Sequence, residues 1–338
     1  MQFMQKHLVI VDGHHLMYRA YWAIPRTMKS SKGEQVNTPF GVASMLLQIL
    51  RVEEPTHILF CFDAGSETFR HVEYAEYKSG RAETPDDFYV QIPTTLSLID
   101  TFAIKSVSGK EHEADDYACA YARSAEAVGF RVTVISGDRD LLQLASDNIR
   151  IAIPHKGYQV PEYLGPSEVL MKYGVTPEQI PSYKALVGDA SDNLRGVKGI
   201  GPKAAEALIR EYGSLAGIYD HLPAIKGAWR SKLEADREQS FFCERMATLV
   251  HDLSLEVPLS DLEFSSVPVD PIFSLFQRLE FTLPRRRLES LLVSPYGQRV
   301  FVPSSGLALP LPDHHSSLES VEKKSSSVDT GQQQLTLL

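Results

Sequence analysis

Short apolar runs that stop on an acid or a glycine are the feature that most restricts this chain. Residues 8–11, 58–62 and 132–135 are such runs, and the stretches between them carry apolar residues at helical spacing. Runs of this length bounded by turn signals read as buried strands, and strands alternating with helices build a parallel α/β sheet. A further strand is expected at 149–153, with helices at 40–50, 87–102, 114–128 and 166–173. In open α/β sheets the ligand site lies beyond the carboxyl ends of the strands. Asp12, Asp63, Asp138 and Asp140 each follow a strand by one or a few residues, so acids far apart in sequence are expected along one edge.

Five acidic sites recur in this way. Asp12 closes LVIVD and Asp63 closes LFCFD; Glu113, Asp115 and Asp116 fall within KEHEADDYA; Asp138 and Asp140 lie in SGDRD; Asp189 and Asp192 lie in VGDASDN. Glu113 and Asp116 share a helical face, Asp138 and Asp140 alternate to one side of extended chain, and Asp189 and Asp192 fit one helical face. Any one pair has a plain explanation as a helix cap or a solvated turn. Five together do not, because carboxylates gathered at strand ends raise one another's pKa and destabilise the fold unless cations neutralise them. All-oxygen donors select Mg²⁺, with Mn²⁺ as a substitute.

The formal net charge of −9 argues at first against a polyanionic partner. Nine of the carboxylates belong to the proposed cation site, however, and without them the balance of the remaining chain is neutral. Cys61, Cys119 and Cys243 are odd in number and far apart, which indicates neither a disulfide framework nor a zinc knuckle. No apolar run approaches the roughly 20 residues of a membrane span, and the first residues lead into a strand without a signal-peptide pattern. A soluble cytoplasmic, nucleoid-associated protein that does not engage membranes is expected.

Two basic segments suggest phosphate. Between residues 69 and 88 the chain is polar and turn-rich, with Arg70, Lys78 and Arg81 among Tyr74 and Tyr77, and reads as a loop or arch suited to a phosphate and an unstacked base. VKGIGPKAA places Gly199 and Gly201 around Ile200, with Lys198 and Lys203 beside them. That is a helix-hairpin-helix turn, whose backbone amides and following helix N-terminus meet a phosphate without reading sequence. The plain readings, a simple turn and solvated charges, apply to each segment taken singly. Residues 179–215 and 235–249 read as a second, helical lobe; beyond 303 the Ser-, Pro- and Gln-rich composition predicts disorder.

Taken in order, DGHHLMYRAYWA, FDA, FRHVEYAEYKSGR, HEADDYA, SGDRDLLQL, KALVGDASDNLRGVKGIGPKAA and FQRLEF resemble the 5′-nuclease domain of bacterial DNA polymerase I, within the wider flap endonuclease family. The resemblance runs from about residue 8 to 292. It implies a PIN-like α/β domain at 1–175 with a helical arch around 69–100, a helix-hairpin-helix lobe at 176–295, and a tail at 303–338. It implies Mg²⁺-dependent 5′-3′ exonuclease and 5′-flap endonuclease activity by two-metal hydrolysis, on duplex DNA with a 5′ flap, nick or 5′ end and on RNA-primed ends, as in primer removal and repair. Asp12, Asp63, Glu113, Asp115 and Asp116 match one group of metal-binding acids, and Asp138, Asp140, Asp189 and Asp192 the other. Lys78 and Arg81 match catalytic arch residues with Tyr77 stacking on a nucleotide; Arg19 and Arg70 match further phosphate contacts, and the hairpin matches a duplex clamp that also holds a monovalent cation. Arg195 departs from the pattern, standing where proline is more usual, and is expected to alter loop stiffness and not binding.

Two further expectations concern the ends of the reading. Gln334, Leu335, Leu337 and Leu338 resemble the short peptide by which bacterial replication proteins engage the sliding clamp, though Leu338 replaces the usual phenylalanine and chance similarity is the alternative. The proofreading and polymerase domains are absent from these residues, so a separate DNA polymerase partner and a fragment of a longer chain both stay open. A noncatalytic junction binder would lack the acids, and a PIN-type ribonuclease would need neither the arch nor the hairpin.

Overall fold

The computed structural model describes residues 5–63, 68–80 and 83–303. Arg81 and the peptide Gln334, Leu335, Leu337 and Leu338 lie outside the described residues.

The first half is the expected alternation. In order come β1 (His7–Asp12), α1 (Gly13–Ala23), α2 (Asn37–Glu53), β2 (His57–Cys61), α3 (Phe69–Glu73), α4 (Asp86–Tyr89), α5 (Ile92–Thr101), β3 (Lys105–Val107), α6 (Ala114–Ala127), β4 (Arg131–Ile135), β5 (Ile149–Ile153), β6 (Glu162–Leu164) and α7 (Pro166–Tyr173). The strands form one sheet in the order β3-β2-β1-β4-β5-β6, parallel except for β6. β3 and β6 were not anticipated: each is three residues long, too short to show an alternation. The single helix expected over 87–102 is split into α4 and α5, with Pro93 in the first turn of α5, where its missing N–H costs nothing.

β1 is central, flanked by β2 and β4, and the strand order reverses there. That makes the carboxyl ends of β1 and β4 the topological switch point, where α/β sheets open a crevice. Alternate residues of β1 serve two cores. Leu8 and Ile10 face α6, while Val9 and Val11 face α1 and α2.

The second half continues with α8 (Ile180–Val187), α9 (Pro202–Tyr212), α10 (Leu215–Asp220), α11 (Ala228–Ala235) and α12 (Arg237–Ala247). Leu186, Ile200, Leu208 and Ile218 share one core with Val132, Val134 and Ala118, so the hairpin helices and the sheet form a continuous body. The strand β7 (Val267–Pro268), the helices α13 (Val269–Arg278), α14 (Thr282–Leu292) and α15 (Pro295–Val300), and β8 (Phe301–Val302) complete the described chain. Although expected within the helical lobe, α13 and α14 pack on the opposite face: Ile272, Phe276 and Leu288 join Val9, Leu46 and Phe60. α5 joins that core through Leu98 and Ile99, so it belongs to the sheet packing and not to an arch. No helix among the described residues is long and apolar enough to cross a membrane.

Candidate active site at the carboxyl edge of the sheet

Asp12 ends β1 and caps α1, accepting the His15 amide at 3.0 Å and the Ser136 hydroxyl at 2.7 Å. The chain turns sharply because position 13 is glycine: a Cβ there would stand 2.1 Å from the Phe62 ring. Asp63, just past β2, accepts the Ala114 amide at 2.8 Å, and its own amide donates to His14 Nδ1 at 3.1 Å. Asp138 follows β4; its amide donates to Ser136 Oγ at 3.0 Å, so one buried hydroxyl ties the β1 and β4 ends together. Asp115 lies in the first turn of α6.

These four acids converge. Burial pushes the Asp12 carboxyl up to about 7, against the hydrogen bonds from His15 and Ser136, and the carboxylates of Asp63 and Asp138 push it further. Asp115 is raised well above the usual range by burial and then by Asp138, Asp12 and Asp63, with Lys78 opposing. The arrangement is one that carboxylates alone would not adopt cheaply.

The second group is separate and compact. One ligand oxygen from each of Asp140, Asp189 and Asp192 lies within 4.8 Å of the others. Between Asp140 and Asp189 stands the ammonium of Lys184, in contact with both. Burial works against ionisation of Asp189, yet Lys184 and Ser191 hold its carboxyl down to about 2. Lys184 already neutralises this pair, so a metal ion held here would share the two carboxylates with the ammonium or displace it. The all-oxygen donor set of the second group, within 4.8 Å, fits a divalent ion, and the first group offers the same donor chemistry through acids that raise one another's pKa.

Two of the acids, two of the basic residues and Tyr77 do not stand as the sequence suggested. Asp116 is fully buried and its oxygens are committed: Arg70 holds both, at 2.7 and 2.9 Å, and the amides of Glu113 and Val250 donate at 3.1 and 2.9 Å. Asp116 is therefore a structural anchor and not an open metal ligand. Arg70 in turn is only 2 % exposed and also donates to the carbonyls of Met246 and Thr248, so it is not placed to meet DNA. Tyr77 is buried instead of standing on an open arch; its hydroxyl lies 3.1 Å from both Glu113 Oε2 and Asp192 Oδ2, bridging the two acidic groups. Lys78 reaches Glu113 Oε1 at 2.7 Å, which makes Glu113 a shared acceptor and not a bare ligand. Arg19, on α1, has its pKa lowered by burial and forms no ion pair among the described residues.

Lys184 and Ser136 were not singled out from sequence. The five-residue spacing from Lys184 to Asp189 carries no motif signal until α8 ends in the tight turn at Gly188. That turn is enforced by crossing backbones: a Cβ on Gly196 would meet Gly188 N at 2.3 Å.

The hairpin runs from α8 into α9. Gly199 takes φ +81°, Ile200 is buried as a wedge, and Gly201 caps α9. Lys198 and Lys203 are exposed, and Lys232 donates to the Gly199 carbonyl at 2.9 Å. At the position of the missing proline, Gln239 donates to the Arg195 carbonyl at 2.9 Å and Asp236 accepts the Lys198 amide at 2.8 Å, so side chains brace the loop.

With this geometry in place, comparison with known proteins is decisive. The family described as 5′-3′ exonuclease, N-terminal resolvase-like domain, matches residues 7–174, and that described as 5′-3′ exonuclease, C-terminal SAM fold, matches 175–270. The chain belongs to the 5′-3′ exonuclease family. DNA polymerase I of Bacillus subtilis is 40% identical over 285 residues, which are 84% of this chain and 32% of that one. DNA polymerase I of Mycobacterium tuberculosis is 39% identical over 294 residues, 87% of this chain and 32% of that one. The chain thus spans about a third of the length of the curated relatives it matches. Among solved structures, the bacteriophage T5 5′-exonuclease with bound zinc ions is 25% identical with a TM-score of 0.62, covering 72% of this chain and 90% of that one. The catalytic core of Rad2 in complex with DNA substrate, 18% identical with a TM-score of 0.58 over 85% of this chain and 91% of that one, shares the fold.

Proposed function

We propose that this 5′-3′ exonuclease family member is a structure-specific 5′-3′ exonuclease and 5′-flap endonuclease that hydrolyses DNA phosphodiesters with Mg²⁺. The observation that carries this reading is the convergence of Asp12, Asp63, Asp115 and Asp138 at the switch point of the sheet, beside the group Asp140, Asp189 and Asp192. Divalent ions held there would lower the pKa of the attacking water and offset charge on the phosphate.

The chain's own groups do the rest. Ser136 and the Ala114 amide orient Asp12 and Asp63 by hydrogen bonds of 2.7 and 2.8 Å. Tyr77 holds Glu113 and Asp192 in register. Lys78, held 2.7 Å from Glu113 Oε1, would supply positive charge beside the scissile phosphate. Lys198, Lys203 and the amides from Gly199 to the start of α9 hold duplex phosphates, with a monovalent cation there as part of the proposal. Such contacts give structure selection without sequence preference, and a strong salt dependence. Water oxygen attacks phosphorus and the P–O3′ bond breaks, leaving a 5′-phosphate and a 3′-hydroxyl.

The reading extends to RNA-primer removal and repair in a bacterial cytoplasm, with a DNA polymerase as partner, and to clamp docking through Gln334, Leu335, Leu337 and Leu338. Removing those last residues is expected to abolish clamp binding while leaving clamp-free cleavage intact. The central test is Mg²⁺-dependent cleavage of 5′-labelled flap, nicked and blunt DNA beside single-stranded RNA. Cleavage of RNA alone would overturn the reading in favour of a PIN-type ribonuclease.

A further inference from the structure

On the face away from the hairpin, α2 and α14 enclose a cleft of about 200 Å³ lined by Gln48, Arg51, Arg286, Arg287 and Ser290 over a floor of leucines. Its position separates it from the acids. α2 ends at Glu53, just before β2 begins, so Arg51 lies toward the amino ends of the parallel strands, whereas the carboxylates crowd the carboxyl ends. A strand of this length spans roughly 17–20 Å, more than one phosphate group can bridge.

Three guanidiniums line this cleft and no carboxylate does. The neighbouring arginines found acids: Arg285 pairs with Glu289 at 3.0 Å and Arg299 faces Glu54 at 3.7 Å. Neither Arg51 nor Arg286 forms an ion pair among the described residues, and both are exposed. Arg287 is fixed to the wall by donating to the Ser44 carbonyl at 3.0 Å, and burial alone lowers its pKa, with no anion to offset it. Gln48 lies one helical turn from Arg51, and Ser290 one turn from Arg286 and Arg287, so two neutral donors stand among the charges. Exposed guanidiniums side by side with no carboxylate in the lining leave Arg51 and Arg286 able to take an anion. Planar guanidinium forks match the oxygens of phosphate.

We propose that the α2–α14 cleft is a second phosphate-binding site, independent of the active site, which takes one phosphate group with Arg51, Arg286 and Arg287. The phosphate has two sources, a free mononucleotide or inorganic phosphate, and the backbone of a duplex lying behind the sheet.

The test uses the full chain in chelator and compares it with the double variant Arg51→Ala/Arg286→Ala; both positions are exposed, and Arg287 is left in place to hold Ser44. Three titrations are run: inorganic phosphate and deoxyadenosine 5′-monophosphate followed by ³¹P line broadening, and a blunt duplex followed by anisotropy. Tenfold or greater weakening in the small-anion arms assigns a free phosphate. Loss confined to the duplex arm, with a salt slope lower by about two, assigns the DNA backbone. A second variant, Arg51→Lys/Arg286→Lys, keeps the charge and is expected to retain part of the affinity. Cleavage of a 5′ flap at saturating substrate stays unchanged in both variants. Equal binding by the wild type and the alanine variant in all three arms overturns the site.

Discussion

Arg70 and Asp116 form a buried bidentate ion pair, Nη1 to Oδ2 at 2.7 Å and Nη2 to Oδ1 at 2.9 Å. Both had been expected at the ligand surface, one on DNA and the other on metal. Joined to each other, they pin α3 to the start of α6, and with it the stretch that carries Tyr77 and Lys78 onto the acids. Removing one partner strands a buried charge, which costs about 3–5 kcal/mol. Arg70→Leu is therefore expected to lower the free energy of unfolding measured in urea by that amount, with little change in DNA affinity measured under folding conditions.

The adjacent acids Asp115 and Asp116 should separate cleanly. Asp115→Asn relieves repulsion from Asp12, Asp63 and Asp138, so it is expected to raise Tm in chelator while cutting flap cleavage by roughly a hundredfold or more. Asp116→Asn should do the reverse, with a loss of stability larger than its effect on kcat at low temperature. Matching phenotypes for the two variants would contradict the division of roles.

Lys184 supplies the cation between Asp140 and Asp189. Lys184→Met leaves those carboxylates unopposed, so Tm in chelator is expected to fall, by about 1–2 °C for each kcal/mol lost in a chain of this size. The rise in Tm produced by Mn²⁺ should grow correspondingly in a differential scanning experiment.

Gly196 admits no side chain. A Cβ would stand 2.3 Å from Gly188 N and 2.5 Å from Leu186 O, backbone atoms that cannot swing aside. Gly196→Ala is expected to cost about 1–3 kcal/mol and to displace the turn bearing Asp189 and Asp192, read as weaker Mn²⁺ binding in calorimetry.

Stability should also depend on pH through His7, far from the acids. Burial lowers His7 from 6.5 to about 4, with Arg131 adding to the effect; its ring meets the Glu53 carbonyl at 3.0 Å and Thr133 Oγ1 at 2.9 Å. Between these two pKa values the unfolded chain binds a proton that the folded chain does not, so stability is complete above pH 6.5 and falls as pH drops toward 4. The contribution at stake is on the order of 3 kcal/mol. His7→Gln should flatten the pH dependence of urea unfolding in that window.

The sequence determined the strands β1, β2, β4 and β5, because apolar runs such as LVIVD and LFCFD are local signals, and it determined where Asp12, Asp63 and Asp138 fall, because each closely follows its strand. It marked the hairpin for the same reason: Gly199 needs a positive φ that glycine supplies. What it left undecided were properties of neighbours brought from elsewhere in the chain. Whether an acid binds metal or an arginine depends on which side chain arrives opposite it. Asp115 and Asp116 are adjacent in sequence, yet one joins the acids of β1, β2 and β4 while the other is buried against Arg70, Glu113 and the Val250 amide. Lys184 and Ser136 gained their roles, and Tyr77 its burial, only when distant elements packed. Periodicity and turn chemistry are written in consecutive residues, whereas desolvation and charge pairing are set by the tertiary fold.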